Sequence, residues 1–373
     1  MKTLRDIGEN NLLRGLLPRL PQRADTPVGP GDDCAVVRLP GAADDWLLTT
    51  DPVIEHRHFL PGTPARRIGR KAIARAISDI AAMGGQPRWI LINLVAPAGT
   101  PLARIRGLYA GMIAAARRWR LGILGGDTAE GAALELHITA IGCVPRGTAV
   151  LRSGARAGDL LYVTGALGGA WLPGSRHHLL FEPRLDAGRF LAERRFATAL
   201  MDLSDGLAAD LPRLLDASKR GVRLDAAAIP ISRAASNTDA PLRHALEDGE
   251  DFELLFTVPP RKCAAFEAAW KRRFPKLPAT RIGAILANPR QRDILRPDGS
   301  ASPLAPGGYQ HFLSRKSPRP PSPSFPIRPR TPHPFVPRHG KIFRRFSTLW
   351  KTFFHTVENS PHPLSTQPLT ANR

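Results

Sequence analysis

The sequence predicts two mixed α/β (α+β) domains followed by a segment that cannot build a core. Three observations predict it. Strand-like and helix-like patterns alternate in both halves, they pause at the turn-rich stretch RSGARAGD (152–159) before restarting, and the composition changes abruptly after Phe312. The expected divisions are 1–150, 151–312 and 313–373.

In chain order, CAVVRLP (34–40) and WLLTTD (46–51) read as two strands joined by a turn. A helix over about 64–83 puts Ile73, Ile77 and Ile80 on one side and closes at Gly84-Gly85. WILINLV (89–95) reads as a buried strand, and Thr100 as an N-cap with Pro101 at the first helical position of a helix to about Arg118. LGILGG (121–126) and LELHITAIG (134–142) read as strands, the second alternating Leu134, Leu136, Ile138 and Ala140. Past the joint, LLYVTG (160–165), a segment ending at MDLSDG (201–206), FELLFTV (252–258) and RIGAIL (281–286) read as strands. A helix is expected near 187–198 and a short one after SDG.

The final segment holds 12 of the 37 prolines, and 11 Lys and Arg against the single acid Glu358. Such a composition stays unpacked. Within it, 341–357 spaces Phe343, Phe346, Trp350, Phe353 and Phe354 helically among Lys341, Arg344, Arg345 and Lys351. An amphipathic helix of this kind suits a membrane surface or a partner's groove, although a disordered extension is the favoured reading. The whole chain carries a formal charge of +21. That suits an anionic ligand, a nucleic acid or simply a basic surface, and the basic surface is favoured because nothing before the tail gathers the charge into a patch. Cys34, Cys143 and Cys263 are far apart, which fits a reducing compartment better than a disulfide framework. MKTLRDIGEN lacks the apolar core of a signal peptide, and no stretch approaches a membrane span, so a cytoplasmic protein is expected.

Carboxylates recur where elements end. Asp32 and Asp33 follow a Gly-Pro-Gly turn, Asp51 closes WLLTTD, Asp127 follows LGILGG, and Asp202 and Asp205 lie in MDLSDG. Each alone is more often a turn or cap residue. Asp79 differs, because it shares a helix face with Ala72 and Ala76, where close packing buries it and demands a partner or a metal. Several acids without a His/Cys cluster favour Mg²⁺ over Zn²⁺. No P-loop and no H-R-D or D-F-G occurs, so nucleotide phosphates would be held mainly through metal. TGALGG (164–169) could cradle phosphate, but a plain turn is favoured.

Taken in order, GPGDDCAVV, TTDPVIEHRHF, ISDIAAMGG, GGDT, LRSGARAGD, MDLSDGL, GEDFELLF and GGYQHF resemble the thiamine-monophosphate kinases, within the aminoimidazole ribonucleotide synthetase-like superfamily, over about 5–312. The resemblance implies N-terminal domains pairing into a dimeric barrel, and ATP- and Mg²⁺-dependent, in-line phosphorylation of thiamine monophosphate to thiamine diphosphate. It implies metal ligation by Asp32 with Asp33 beside it, by Thr49, Thr50 and Asp51, and by Asp79, Asp127, Asp202 and Asp205. Gly126, Asp127, Arg152 and Ser204 match nucleotide positions, as does Tyr109, which could equally be a helix-packing residue. His58, Glu250 and Tyr309 match substrate-side positions, although taken alone His58 reads as a surface histidine and Tyr309 as a packing aromatic.

The sequence departs from the family pattern in a short 165–185 region, in Asp248-Gly249 where a glycine pair is usual, and in Pro212, expected to interrupt the helix after SDGL. These departures bear on substrate affinity. The rivals are another ATP-using enzyme of the superfamily and, from a different class, a basic nucleic-acid-binding protein whose binding would collapse with salt. The second leaves the aligned acids unexplained.

Overall fold

The alternation in the first half produces a sheet with one buried face. The computed structural model describes residues 1–312, so the 341–357 pattern lies outside the described residues. Strands β1 (Ala35–Val37), β2 (Asp44–Ile54), β3 (Gln86–Ala96), β4 (Gly122–Glu130) and β5 (Glu135–Pro145) form a sheet of order β1-β2-β5-β3-β4. All its neighbours are antiparallel except β3 and β4. Helix α1 (Leu4–Leu16) precedes it, and α2 (Ala65–Ala82) and α3 (Leu102–Trp119) cover one face. The core between them takes Ile73, Ile77 and Ile80 from α2, Leu108 and Met112 from α3, and Leu134, Leu136, Ile138 and Ala140 from β5 and its entry.

Two glycines set how closely the helices approach. A Cβ on Gly69 would lie 2.1 Å from the Leu108 carbonyl oxygen, and one on Gly111 2.1 Å from that of Arg66. The crossing therefore needs hydrogen at both places, and it seats α2, which carries Asp79, deep against the sheet.

The second half restarts as expected. Strands β6 (Leu160–Thr164), β7 (Ala199–Asp202), β8 (Gly221–Asp225), β9 (Leu254–Val258), β10 (Ala279–Leu286), β11 (Arg292–Leu295) and β12 (Ala301–Pro303) form a seven-stranded sheet of order β12-β11-β8-β10-β6-β9-β7. The helices are α4 (His177–Leu180), α5 (Leu185–Glu193), α6 (Leu207–Ser218), α7 (Arg233–Ser236), α8 (Pro241–Glu247) and α9 (Pro260–Arg273). One core gathers Leu161, Val163, Leu207, Leu211 and Leu215, and another packs Tyr162, Phe256, Phe266 and Trp270 together. No described helix is long and apolar enough to cross a membrane.

Several expectations are corrected. Strand β2 does not end at Asp51, because it pairs with β5 without a break from Asp44↔Pro145 to Ile54↔Glu135. Strand β4 likewise runs through Asp127, carried by parallel pairing with β3. Pro101 is itself the N-cap of α3, and Thr100 makes no side-chain cap. Helix α5 stops at Glu193, where the Arg195 and Phe196 amides return to Ala192 and Leu191 and Arg195 takes a φ of 51°.

Pro212 sits inside α6 without ending it. The helix continues because Leu207, Leu211, Leu214 and Leu215 are all buried on one side. The proline still withholds an N–H from the Ala208 carbonyl. Pro212→Ala should therefore stabilise the chain by about 1–2 kcal/mol, the restored helical bond outweighing the looser unfolded chain. Calorimetry should read this as a rise in Tm of a few degrees.

Candidate active site

Helix α2 brings its polar and charged residues to the middle of β2 in the first sheet and to the end of β7 in the second. Thr49 and Asp51 are two apart in β2 and share a face, so both turn towards α2. Thr49 Oγ1 donates to Asp79 at 2.5 Å, and Ser78 Oγ donates to Asp202, at the end of β7, at 2.6 Å. Carboxylate oxygens of Asp33, Asp79 and Asp202 all lie within 4.8 Å of one another. Asp32 accepts the backbone N–H groups of Asp33 and Arg152, and Arg152 forks onto Asp33 at 2.6 and 3.0 Å.

This crowding shows in the acidities. Burial, then the charge of Asp33, raises Asp32 to about 6. Burial, then Asp33, raises Asp202 to about 7. Burial, then Asp202 and Asp51, pushes Asp79 well above the carboxylate range. These groups resist ionisation until a cation joins them.

Two residues expected in this group stand apart from it. The Thr50 side chain alternates to the opposite sheet face, where its hydroxyl is 3.5 Å from that of Thr139. Asp127 is exposed on β4 and accepts the Thr128 N–H. Its neighbour Gly126 is required where it stands, because a Cβ there would lie 1.7 Å from the Ile92 carbonyl oxygen. Asp205 borders the group, paired with Arg213 at 2.8 Å. Tyr109 packs against the first core from α3, the packing role the sequence left open.

His58, Glu250 and Tyr309 meet around a buried ion network. Glu250 is 8% exposed, sits at a φ of 58° and is pinned by its N–H to the Ser204 carbonyl at 2.7 Å. Lys71, fully buried, donates to both Glu250 oxygens at 2.7 and 2.9 Å and to the His58 carbonyl at 2.6 Å. Arg75 donates to Glu250 at 3.0 Å and forks onto Asp51 at 2.8 and 2.9 Å. His58 is buried, not at the surface, and its Nδ1 accepts the Ile54 N–H. Burial, then Arg75 and Lys71, lowers it to about 2, so it is neutral with its proton on Nε2. Tyr309 donates its N–H to the Asp205 carbonyl, next to the anchor of Glu250. Its ring meets His311 edge-on at 4.9 Å, and the His311 ring lies 6.3 Å from that of His58.

Sequence reasoning missed Lys71, Arg75, Ser78 and His311. The first two had a signal, since Lys71, Arg75 and Asp79 repeat every four residues on a helix whose other residues there are Ile68, Ala72 and Ala76. Charges on a face that packs must meet charges. The glycine turn after β6 proves a plain turn in its hydrogen bonding: the Gly168 and Gly169 amides are taken by Asp251 and Asp248. Asp248 also pairs with His244 at 2.9 Å.

Two mixed sheets that bring Asp33, Asp79 and Asp202 together are the arrangement of an AIR synthase related protein. Residues 31–144 match the N-terminal domain of that family and 156–295 its C-terminal domain. The chain is 38% identical over 289 residues to thiamine-monophosphate kinase of Rhodopirellula baltica, covering 74% of this chain and 87% of the relative. It is 32% identical to that of Bacillus subtilis, covering 82% and 100%. Among solved structures, AaThiL complexed with AMPPCP and TMP is similar with a TM-score of 0.71 at 29% identity, covering 84% of this chain and 99% of that one. The chain belongs to the thiamine-monophosphate kinase family.

Proposed function

We propose that this chain transfers the γ-phosphoryl group of ATP to thiamine monophosphate, giving thiamine diphosphate and ADP. An oxygen of the acceptor phosphate forms a bond to the γ-phosphorus, and the bond to the β–γ bridging oxygen breaks. The acceptor is already ionised, so no general base is required. The observation that carries the reading is the triad of Asp33 and Asp202, both buried, and the half-buried Asp79, beside the Glu250 network, in a chain whose relatives are thiamine-monophosphate kinases. The neighbour AaThiL, solved with AMPPCP and TMP, supports both substrates.

The triad fits Mg²⁺, because its donors are hard oxygens, close-set and short of positive charge. Asp33, Asp79 and Asp202, with Asp32, Thr49 and Asp51 beside them, would hold it. When bound, the ion screens the repulsion between the two phosphates. Thr49 and Ser78 aim Asp79 and Asp202. Arg152, Ser204, Gly126, Asp127 and Tyr109 are assigned to the nucleotide side, with Thr50 and Asp205 at the margin of the metal set. His58, Glu250 and Tyr309 are assigned to the thiamine side, where the Tyr309 face suits a flat cation. Residues 1–150 and 151–312 are assigned as the two domains. A homodimer is supported by the sheet face opposite α2 and α3, which carries Trp46 stacked on Trp89 at 5.3 Å, and by Leu124, 54% exposed on edge strand β4.

The test is transfer of label. ATP labelled on the γ-phosphate should place the label in the terminal phosphate of thiamine diphosphate, leaving the protein unlabelled. Label retained on the protein would refute direct transfer.

A pH dependence follows as well. The folded-state acidities of Asp32 and Asp202 are raised to about 6 and about 7. A raised value favours the folded state at low pH and loses that contribution as pH rises through it. The metal-free chain should therefore lose stability between about pH 4 and pH 7 from these groups. The gain in Tm on replacing EDTA with Mg²⁺ should grow from pH 5 to pH 8. A gain independent of pH would contradict ligation by these acids.

A further inference from the structure

Arg75 stands at the join between the two halves of the site. Its Nε and Nη2 hold the Asp51 carboxylate on the metal side, and its Nη1 holds Glu250 on the thiamine side. The side chain is 12% exposed. Its guanidinium lies over the Phe252 ring at 5.6 Å, and Phe252 is stacked on Phe181 at 3.8 Å. The aromatic pair below and the two acids at the edges fix the plane of the fork.

The acceptor has a ring end and a phosphate end. With the ring system at His58, Glu250 and Tyr309 and the phosphate directed to the acids, the phosphate passes the gap between Glu250 and Asp51, which Arg75 spans. A phosphate dianion brought beside this many carboxylates needs a fixed positive charge. The guanidinium fork that fits the two oxygens of a carboxylate fits two oxygens of a phosphate equally well. The geometry points to Arg75 as the residue that grips the phosphate of thiamine monophosphate, exchanging its fork from Asp51 to the ligand when Asp51 engages a cation. This rests on the function proposed above. Metal loading and acceptor binding are then coupled through one side chain.

The test is calorimetric titration of the full chain, in Mg²⁺ and AMPPCP, with thiamine monophosphate and separately with thiamine. The wild type should prefer the phosphorylated ligand. Arg75→Met should weaken binding of thiamine monophosphate roughly tenfold to a hundredfold more than it weakens binding of thiamine, the range of lost charge-assisted hydrogen bonds, the smaller loss of thiamine coming from the contact Arg75 gives Glu250. Arg75→Lys keeps the charge without the fork and should fall between, and it carries the test if the Met variant does not fold. In EDTA the guanidinium stays on Asp51, and the wild-type preference should shrink. Equal loss of both ligands would make Arg75 merely structural and overturn the inference, as would wild-type affinity for thiamine monophosphate in Arg75→Lys. Failure of the wild type to bind thiamine monophosphate at all would instead overturn the function itself.

Discussion

Asp202→Asn should lower thiamine diphosphate formation by about three orders of magnitude or more, and at the same time raise the Tm of the metal-free chain at pH 8. The loss follows from removing one of three carboxylates that would hold Mg²⁺, whose charge would offset that of the phosphates, an electrostatic contribution of several kcal/mol. The gain follows from the same crowding. Asp202 is 3% exposed, and burial and the charge of Asp33 raise it to about 7, so its ionised form opposes folding at pH 8. An amide keeps an oxygen to accept the Ser78 hydroxyl and carries no charge. The gain should fade towards pH 5, where the carboxyl is itself protonated, and Mg²⁺ should stabilise the variant less than the wild type. Thermal unfolding with and without Mg²⁺, beside initial rates, checks both halves. Full activity, or a lower Tm at pH 8, would contradict the account.

Lys71→Met should have the largest cost to stability. The ammonium is fully buried, with Glu250, the His58 carbonyl and the face of Trp171 at 4.9 Å around it. Methionine fills similar space but leaves Glu250 with one cation fewer and the His58 carbonyl without this donor. Breaking a buried pair by removing one partner costs about 3–5 kcal/mol, roughly a 10 °C fall in Tm for a chain of this size. The KM for thiamine monophosphate should rise more than that for ATP, because Glu250 and His58 are the residues proposed for the thiamine side. An unchanged Tm would show that Arg75 alone satisfies Glu250.

The acids were legible in the sequence by residue type and order, and the mixed α/β fold by the alternation of strand and helix patterns in both halves. What escaped depended on partners distant in the chain. Strand β2 runs past Asp51 only because β5, some ninety residues on, pairs with it throughout. Strands β8, β11 and β12 are short and owe their existence to a sheet assembled across the second half, with β11 parallel to β8. Asp127, grouped with the other acids by the order of motifs, lies exposed on edge strand β4, which pairs with β3. Lys71 and Arg75 looked like ordinary helix charges until Glu250, about 175 residues away, was brought to them. Pro212 broke the local rule for helices, and buried leucines on the same helix outweighed it.

The most direct measurement is chromatography of the products from purified chain, ATP and thiamine monophosphate, with Mg²⁺ and with EDTA. The account predicts thiamine diphosphate and ADP in equal amounts with Mg²⁺ and neither with EDTA. Thiamine diphosphate formed equally well in EDTA would contradict the role given to the buried carboxylates. Its absence under both conditions, from folded chain that binds ATP, would contradict the acceptor.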